Sequence, residues 1–168
     1  MSVIDEVLAA NQLYARTHEL RHLTPRPARK LAILTCMDTR LSIRTLGLNT
    51  GDAHIIRNAG GIVTDDTLRS LVISHHLLGT AEFMVINHTD CGLMQASEDD
   101  LRANIQRRTG TAAVSPAFFY AFQNVDENVR QQLQKLRTHP WIPRDIPIRG
   151  FVYDVATGLL REIRESSK

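Results

Sequence analysis

Cysteine is nearly absent from this chain: Cys36 and Cys91 are the only two in 168 residues. Two thiols cannot build the disulfide framework on which small secreted domains rely. In a reducing compartment their better uses are metal binding or catalysis. Charge of one sign is lacking as well. The formal net charge is +2 and the basic residues are dispersed, which argues against a nucleic-acid partner held by charge alone. No apolar run approaches the roughly 20 residues that a membrane-spanning helix needs. Met1 to Glu6 lack the basic and then apolar pattern of a secretory signal, so a cytoplasmic location is the expectation. Internal repeats, low-complexity stretches and linkers are missing too. What remains is a chain long enough for one domain, residues 1–168, with a real core.

Two short apolar runs organise that domain. Leu31 to Thr35 leads into Cys36, Asp38 and Arg40, and Glu82 to Asn87 leads into His88 and Cys91. Each run is too short for a good helix and reads as a buried strand. Strands of this kind, separated by helical segments, predict an α/β fold with a mostly parallel central sheet flanked by helices. Residues 2–22 read as an amphipathic helix within an N-terminal arm, 1–22, capped by Ser2 and carrying an apolar stripe of Ile4, Val7, Leu8 and Leu13. A short turn or helix spans 41–46 and ends at Gly47. Residues 53–57 read as a strand. Residues 64–78 read as a helix capped by Thr64, with Leu68, Leu71, Val72 and Leu78 on one face and Gly79 as its stop. Further on, residues 98–108 and 126–137 read as helices. Ser115-Pro116 marks the start of another short one. Residues 148–155 form a late strand, and a Thr157-Gly158 turn leads to a final short strand and a polar tail.

In open parallel sheets, chemistry gathers at the carboxyl ends of the strands, where the topology changes direction. Cys36, Asp38, Arg40, His88 and Cys91 all fall at such ends, and they read as one site. Two thiolates and an imidazole make a three-ligand set for zinc, with the fourth tetrahedral position open or closed by a carboxylate. Zinc can lower the pKa of water from about 15.7 to about 7, equivalent to about 12 kcal/mol. Thiolate ligands make the metal a weaker acid than three histidines do, so a neighbouring group must assist. Asp38 and Arg40 share a face with Cys36 if the segment stays extended. Arg40 can then hold Asp38 in a bidentate pair and keep it ionised. Released from Arg40, Asp38 can become the fourth zinc ligand and close the site.

Cys36-x-Asp38-x-Arg40, followed about fifty residues later by His88-x-x-Cys91, resembles the β-class carbonic anhydrases. Arg57-Asn58-Ala59-Gly60-Gly61 and His88-Thr89-Asp90-Cys91-Gly92 are similar to that family's turns, and the spacing is similar to its compact, plain-type members. The resemblance implies reversible hydration of CO2 to bicarbonate, with Zn2+ on Cys36, His88 and Cys91 and with Asp38 and Arg40 as the catalytic dyad. It also implies a homodimer or higher homo-oligomer, with the N-terminal helix packing on the partner subunit. Some relatives of this type hydrolyse carbonyl sulfide or carbon disulfide, which are also linear, apolar and open to attack at carbon. The glutamine and aromatic residues of the plant-type substrate pocket find no match, and Phe118, Phe119 and Tyr120 lie in the unmatched stretch.

Other readings of single residues are plainer. Gly60-Gly61 lacks the further glycine and lysine of a phosphate cradle and reads as a backbone-close turn beside the metal, its N–H groups within reach of a zinc-held water. Arg57 and Asp90 are candidates to support the metal ligands or simply to hold turns. His75, His76 and His54 are candidate proton shuttles of little weight. A non-catalytic dimer with structural zinc, or a redox pair of Cys36 and Cys91, are the readings from other classes. The redox pair leaves Asp38 and Arg40 unexplained.

Overall fold

A computed structural model describes residues 2–164. The expected polar tail, 165–168, lies outside them. A five-stranded sheet is built from β1 (Leu31–Cys36), β2 (Ala53–Asn58), β3 (Glu82–His88), β4 (Ile148–Tyr153) and β5 (Leu160–Ile163), in the order β2-β1-β3-β4-β5. The first four strands are mutually parallel and β5 runs antiparallel to β4. The helices among the described residues are α1 (Val3–Arg16), α2 (Asp65–His76), α3 (Glu98–Thr109) and α4 (Val125–Thr138). None is long and apolar enough to cross a membrane.

Strand order explains where the functional residues go. From β1 the chain moves to its neighbour β2, then returns across β1 to place β3 on the other side. The switch in direction therefore lies between β1 and β3, whose carboxyl ends carry Cys36 and His88. Pairing of Leu31 with Glu82 through Thr35 with Ile86 brings those ends level.

Alternation along the strands divides the core into two clusters. Ala32, Leu34, Phe83, Val85 and Val152 pack with Leu71 of α2 and with Val129, Leu133 and Leu136 of α4. Ile33, Ile86 and Tyr153 pack with Leu41, Leu48, Cys36 and Cys91, covered by loop residues such as Ile43, Leu46 and Leu93. Gly150 allows the close approach of α4 to β4. A Cβ there would run into Val129 Cγ1 and lie 2.9 Å from Leu133 Cδ1.

Helix caps follow the sequence closely, with three corrections. Ser2 and Asp5 form a reciprocal capping box and Thr64 caps α2 as expected. The N-terminal helix, however, ends at Arg16 rather than 22. Thr17 N–H donates to the Tyr14 carbonyl at 3.0 Å, tightening the last turn, and only a 3-10 turn, Leu20–His22, follows. α2 ends at His76, and Gly79 takes a left-handed turn three residues later (φ +81°). No helix starts at Ser115-Pro116. Residues 110–124 are irregular, and Glu98 holds them by accepting from the backbone N–H groups of Phe119, Tyr120 and Ala121.

Gly150→Ala is expected to overpack the β4–α4 contact and cost about 1–3 kcal/mol, read as a lowered midpoint in thermal or denaturant unfolding.

Candidate metal centre

Cys36 is the last residue of β1 and His88 the last of β3, and a turn over Thr89-Asp90 returns Cys91 beside them. The two sulfurs and an imidazole nitrogen lie within 4.8 Å of one another. All three residues are buried. Cys36 and Cys91 are free thiols. His88 Nδ1–H donates to the Thr89 carbonyl at 2.8 Å. That fixes the tautomer and leaves Nε2 as a lone-pair donor, buried and without a hydrogen-bond partner among the described residues.

Electrostatics of the donor set point the same way. The neighbouring Cys91 thiol holds Cys36 well below the usual thiol range against the opposing effect of burial, helped by the Gly60 N–H aimed at its sulfur. Cys91 is pushed up by the Cys36 thiolate beside it, and by burial. Burial disfavours charge on His88, yet the adjoining Cys36 sulfur, the bond to Thr89 and the nearby negative charge of Asp38 leave its pKa raised. A pair of sulfurs in which one ionises at the expense of the other, beside a bare imidazole nitrogen, fits a soft divalent cation. Two thiol sulfurs and an unpartnered imidazole nitrogen within 4.8 Å of one another are a donor set of the kind zinc takes. Zinc fits the residues present.

Asp38 and Arg40 stand at the open side of this set, though not by strand alternation. β1 ends at Cys36. The chain then turns, with the Asp38 carboxylate accepting from the Arg40 backbone N–H at 2.9 Å and the Asp38 carbonyl from Leu41 N–H at 3.2 Å. Arg40 Nε and Nη2 donate to the two Asp38 oxygens at 3.0 and 2.8 Å, a bidentate pair. Asp38 Oδ2 lies 3.8 Å from His88 Nε2. The Arg40 bonds hold the Asp38 carboxyl well below the usual carboxylate range, and the arginine is correspondingly raised. These groups face a cleft of about 450 Å³ with Met37, Ala59 and Leu93 as its apolar walls.

Of the supporting candidates, Arg57 donates to the backbone carbonyls of Cys36 (2.9 Å) and Asp38 (2.6 Å), so it holds the turn and not the metal position. Gly60 N–H is aimed at Cys36 Sγ (3.3 Å). The expectation that this turn reaches toward a water is replaced by a bond to the sulfur. His75 and His76 are bonded to the carbonyls of Thr80 and Trp141, and His54 to Ser74 and the Pro25 carbonyl. None of the three lines the cleft. Phe118, Phe119 and Tyr120 line a separate cleft with Asn58 and Thr67.

A buried amide chain beneath the site was missed by the sequence reading. Asn87 Nδ2 donates to the Gly60 carbonyl (2.7 Å), Asn128 to Asn87 (2.9 Å), and Gln132 to Asn128 (2.8 Å), while Gln132 accepts from Val63 N–H (2.9 Å). Gly61 is needed where this chain meets β1: a Cβ would lie 2.7 Å from Asn87 Nδ2 and 3.1 Å from Cys36 N. The available signal was an amide pair four residues apart, Asn128 and Gln132, adjoining an otherwise apolar helix stripe.

Comparison with known proteins follows the same line. Residues 31–160 match the family model of carbonic anhydrase. A protein of Mycobacterium tuberculosis described as beta-carbonic anhydrase 1 is 44% identical over 97% of this chain and 99% of its own length. The crystal structure of a carbonic anhydrase from Streptococcus mutans superposes with a TM-score of 0.91 at 45% identity, covering 98% of this chain and 99% of that one. A carbon disulfide hydrolase of Acidithiobacillus thiooxidans is 36% identical over 79% of this chain and 76% of its own length.

Elemental analysis is expected to find about one zinc per chain, lost in Cys36→Ser because a hydroxyl is a poor substitute for a buried thiolate. Binding must expel the proton left on the thiol pair, held there by the raised Cys91, so affinity falls steadily as the pH is lowered. Competition with a chromophoric chelator measures both.

Proposed function

The chain belongs to the β-class carbonic anhydrase family, and from that membership we propose that it is a zinc-dependent carbonate dehydratase interconverting CO2 and bicarbonate. The observation that carries the reading is the meeting of Cys36, His88 and Cys91 with the Arg40-held Asp38 at their open side. Cys36, His88 and Cys91 are the residues that would hold the metal. When bound there, zinc supplies the Lewis acidity that makes water a nucleophile near neutral pH.

The chain's own residues do the rest. Asp38 is ionised and can only accept hydrogen bonds. It therefore selects a hydroxyl donor beside His88 Nε2 and turns that oxygen's lone pair toward the cleft. Arg40 keeps Asp38 ionised and keeps it from the metal position. Without Arg40, Asp38 would be free to turn its carboxylate, 3.8 Å from His88 Nε2, into the metal position and fill it. Gly60 N–H spreads the charge of Cys36, and the Thr89 carbonyl keeps His88 in its ligating tautomer. Met37, Ala59 and Leu93 give an apolar approach suited to a small linear substrate.

Carbonyl sulfide or carbon disulfide hydrolysis is the second reading, favoured by the carbon disulfide hydrolase relative and by the same apolar approach. Stopped-flow CO2 hydration beside hydrogen sulfide release, compared as kcat/KM, separates the two.

The assembly is a homodimer or higher homo-oligomer with α1 on the partner. Its support is an α1 with no buried residue and an exposed stripe of Val3, Ile4, Val7, Leu8 and Leu13. Half-buried apolar residues on the sheet face without a helix, Leu31, Ile55, Met84 and Phe151 among them, add to it. Sedimentation at the mass of a monomer would remove this part of the proposal. A cytoplasmic location fits two buried cysteines left unpaired.

Asp38→Ala is expected to keep its zinc and lose roughly a hundredfold or more in CO2 hydration. Full activity in that variant ends the account of the dyad.

A further inference from the structure

The activity proposed above leaves Asp90 without a task. This residue sits between His88 and Cys91, with φ at +54°, a region that residues other than glycine, asparagine and aspartate seldom adopt. A residue needed only for that turn would best be glycine. Here the left-handed backbone aims two acceptors at one guanidinium. Arg40 Nη1 donates to Asp90 Oδ2 at 2.8 Å and Nη2 to the Asp90 carbonyl at 3.0 Å. The adjoining edge of the same group, Nε and Nη2, holds both Asp38 oxygens. Four of the five guanidinium N–H groups are thus directed. Among the described residues, the side-chain hydrogen bonds of Arg40 go to Asp38 and Asp90 alone.

Asp38 and Arg40 are two residues apart on one exposed turn. An ion pair so local can swing as a unit, and Arg40 is 44% exposed. Asp90 reaches the pair from the other strand tip, fifty positions away in sequence. We propose that Asp90 is a positioning residue: it clamps Arg40 between the tips of β1 and β3 and so holds Asp38 off the metal position. The inference rests on reading Asp38 and Arg40 as the dyad. Both partners of the clamp are partly exposed, so its strength is modest and salt weakens it. Its effect lies in geometry.

Two variants of the zinc-loaded full chain test this. Asp90→Asn keeps an oxygen acceptor and tolerates the left-handed backbone. Asp90→Gly suits that backbone best and removes the side-chain acceptor. The measurements are zinc content, kcat and KM for CO2, and hydrogen exchange of Arg40 Nε–H by NMR. The expected order in kcat is wild type, then Asn, then Gly, with Gly down roughly five- to tenfold. Zinc content and KM stay near wild type, and Arg40 exchange quickens in the same order. A residue serving only the turn gives the reverse: Gly as active as wild type, with Arg40 exchange unchanged, and that result overturns the proposal. If wild type itself fails to hydrate CO2, the proposed function falls. Arg40 exchange then decides the clamp by itself: faster exchange in Gly upholds it, and unchanged exchange removes it.

Discussion

Two buried sulfurs a few ångströms apart cannot both carry negative charge without a cation between them. That constraint governs the structure around Cys36 and Cys91. In their own company one sulfur is driven to the thiolate and the other away from it. A buried imidazole stands beside them with its Nε2 unpartnered. The strand ends and turns around the site keep those three donors converged. The sheet sets Cys36 and His88 at neighbouring strand ends, and the Thr89-Asp90 turn returns Cys91.

Around the donors lies a frame of hydrogen bonds from one guanidinium and three amides. Arg57 ties down the carbonyls of Cys36 and Asp38, while Asn87, Asn128 and Gln132 link the Gly60-Gly61 turn to α4. Their role is shape. A buried amide with every partner in place permits one arrangement of the turn, and moving it would strand polar groups away from water. The N–H that Gly60 offers to Cys36 is thereby fixed before any metal arrives, which is the condition for a preorganised site.

The acid–arginine pair lives at the edge of this frame, where solvent reaches it. An exposed ion pair gains little energy, so its value is in where it holds Asp38. Bonds from Arg40 to both the β1 turn and the β3 turn make the pair a brace across the switch point. The apolar stripe of α1 and the half-covered sheet face are the other unfinished surfaces, and both lie on elements that the chain's own core leaves bare.

Much of this could be read in the residues alone. The strands follow from short apolar runs, the caps at Ser2 and Thr64 from residue type, and the stripe of α4 from a period of 3.6, and these are properties of a segment by itself. The donor set was legible because Cys36, His88 and Cys91 are residue types with few other uses together. Local pattern failed where hydrogen bonds outside the regular helix and strand ladders decided the outcome. Thr17 closes α1 early, and Glu98 holds residues 119–121 out of any helix. A turn, and not an extended segment, sets Asp38 against Arg40. The sequence by itself determined which chemistry the chain can hold, through the identities of its thiols, imidazole and acid–arginine pair. Only the tertiary structure decided how those groups face one another, because strand order, the left-handed Asp90 and the buried amides act between segments that no local pattern connects.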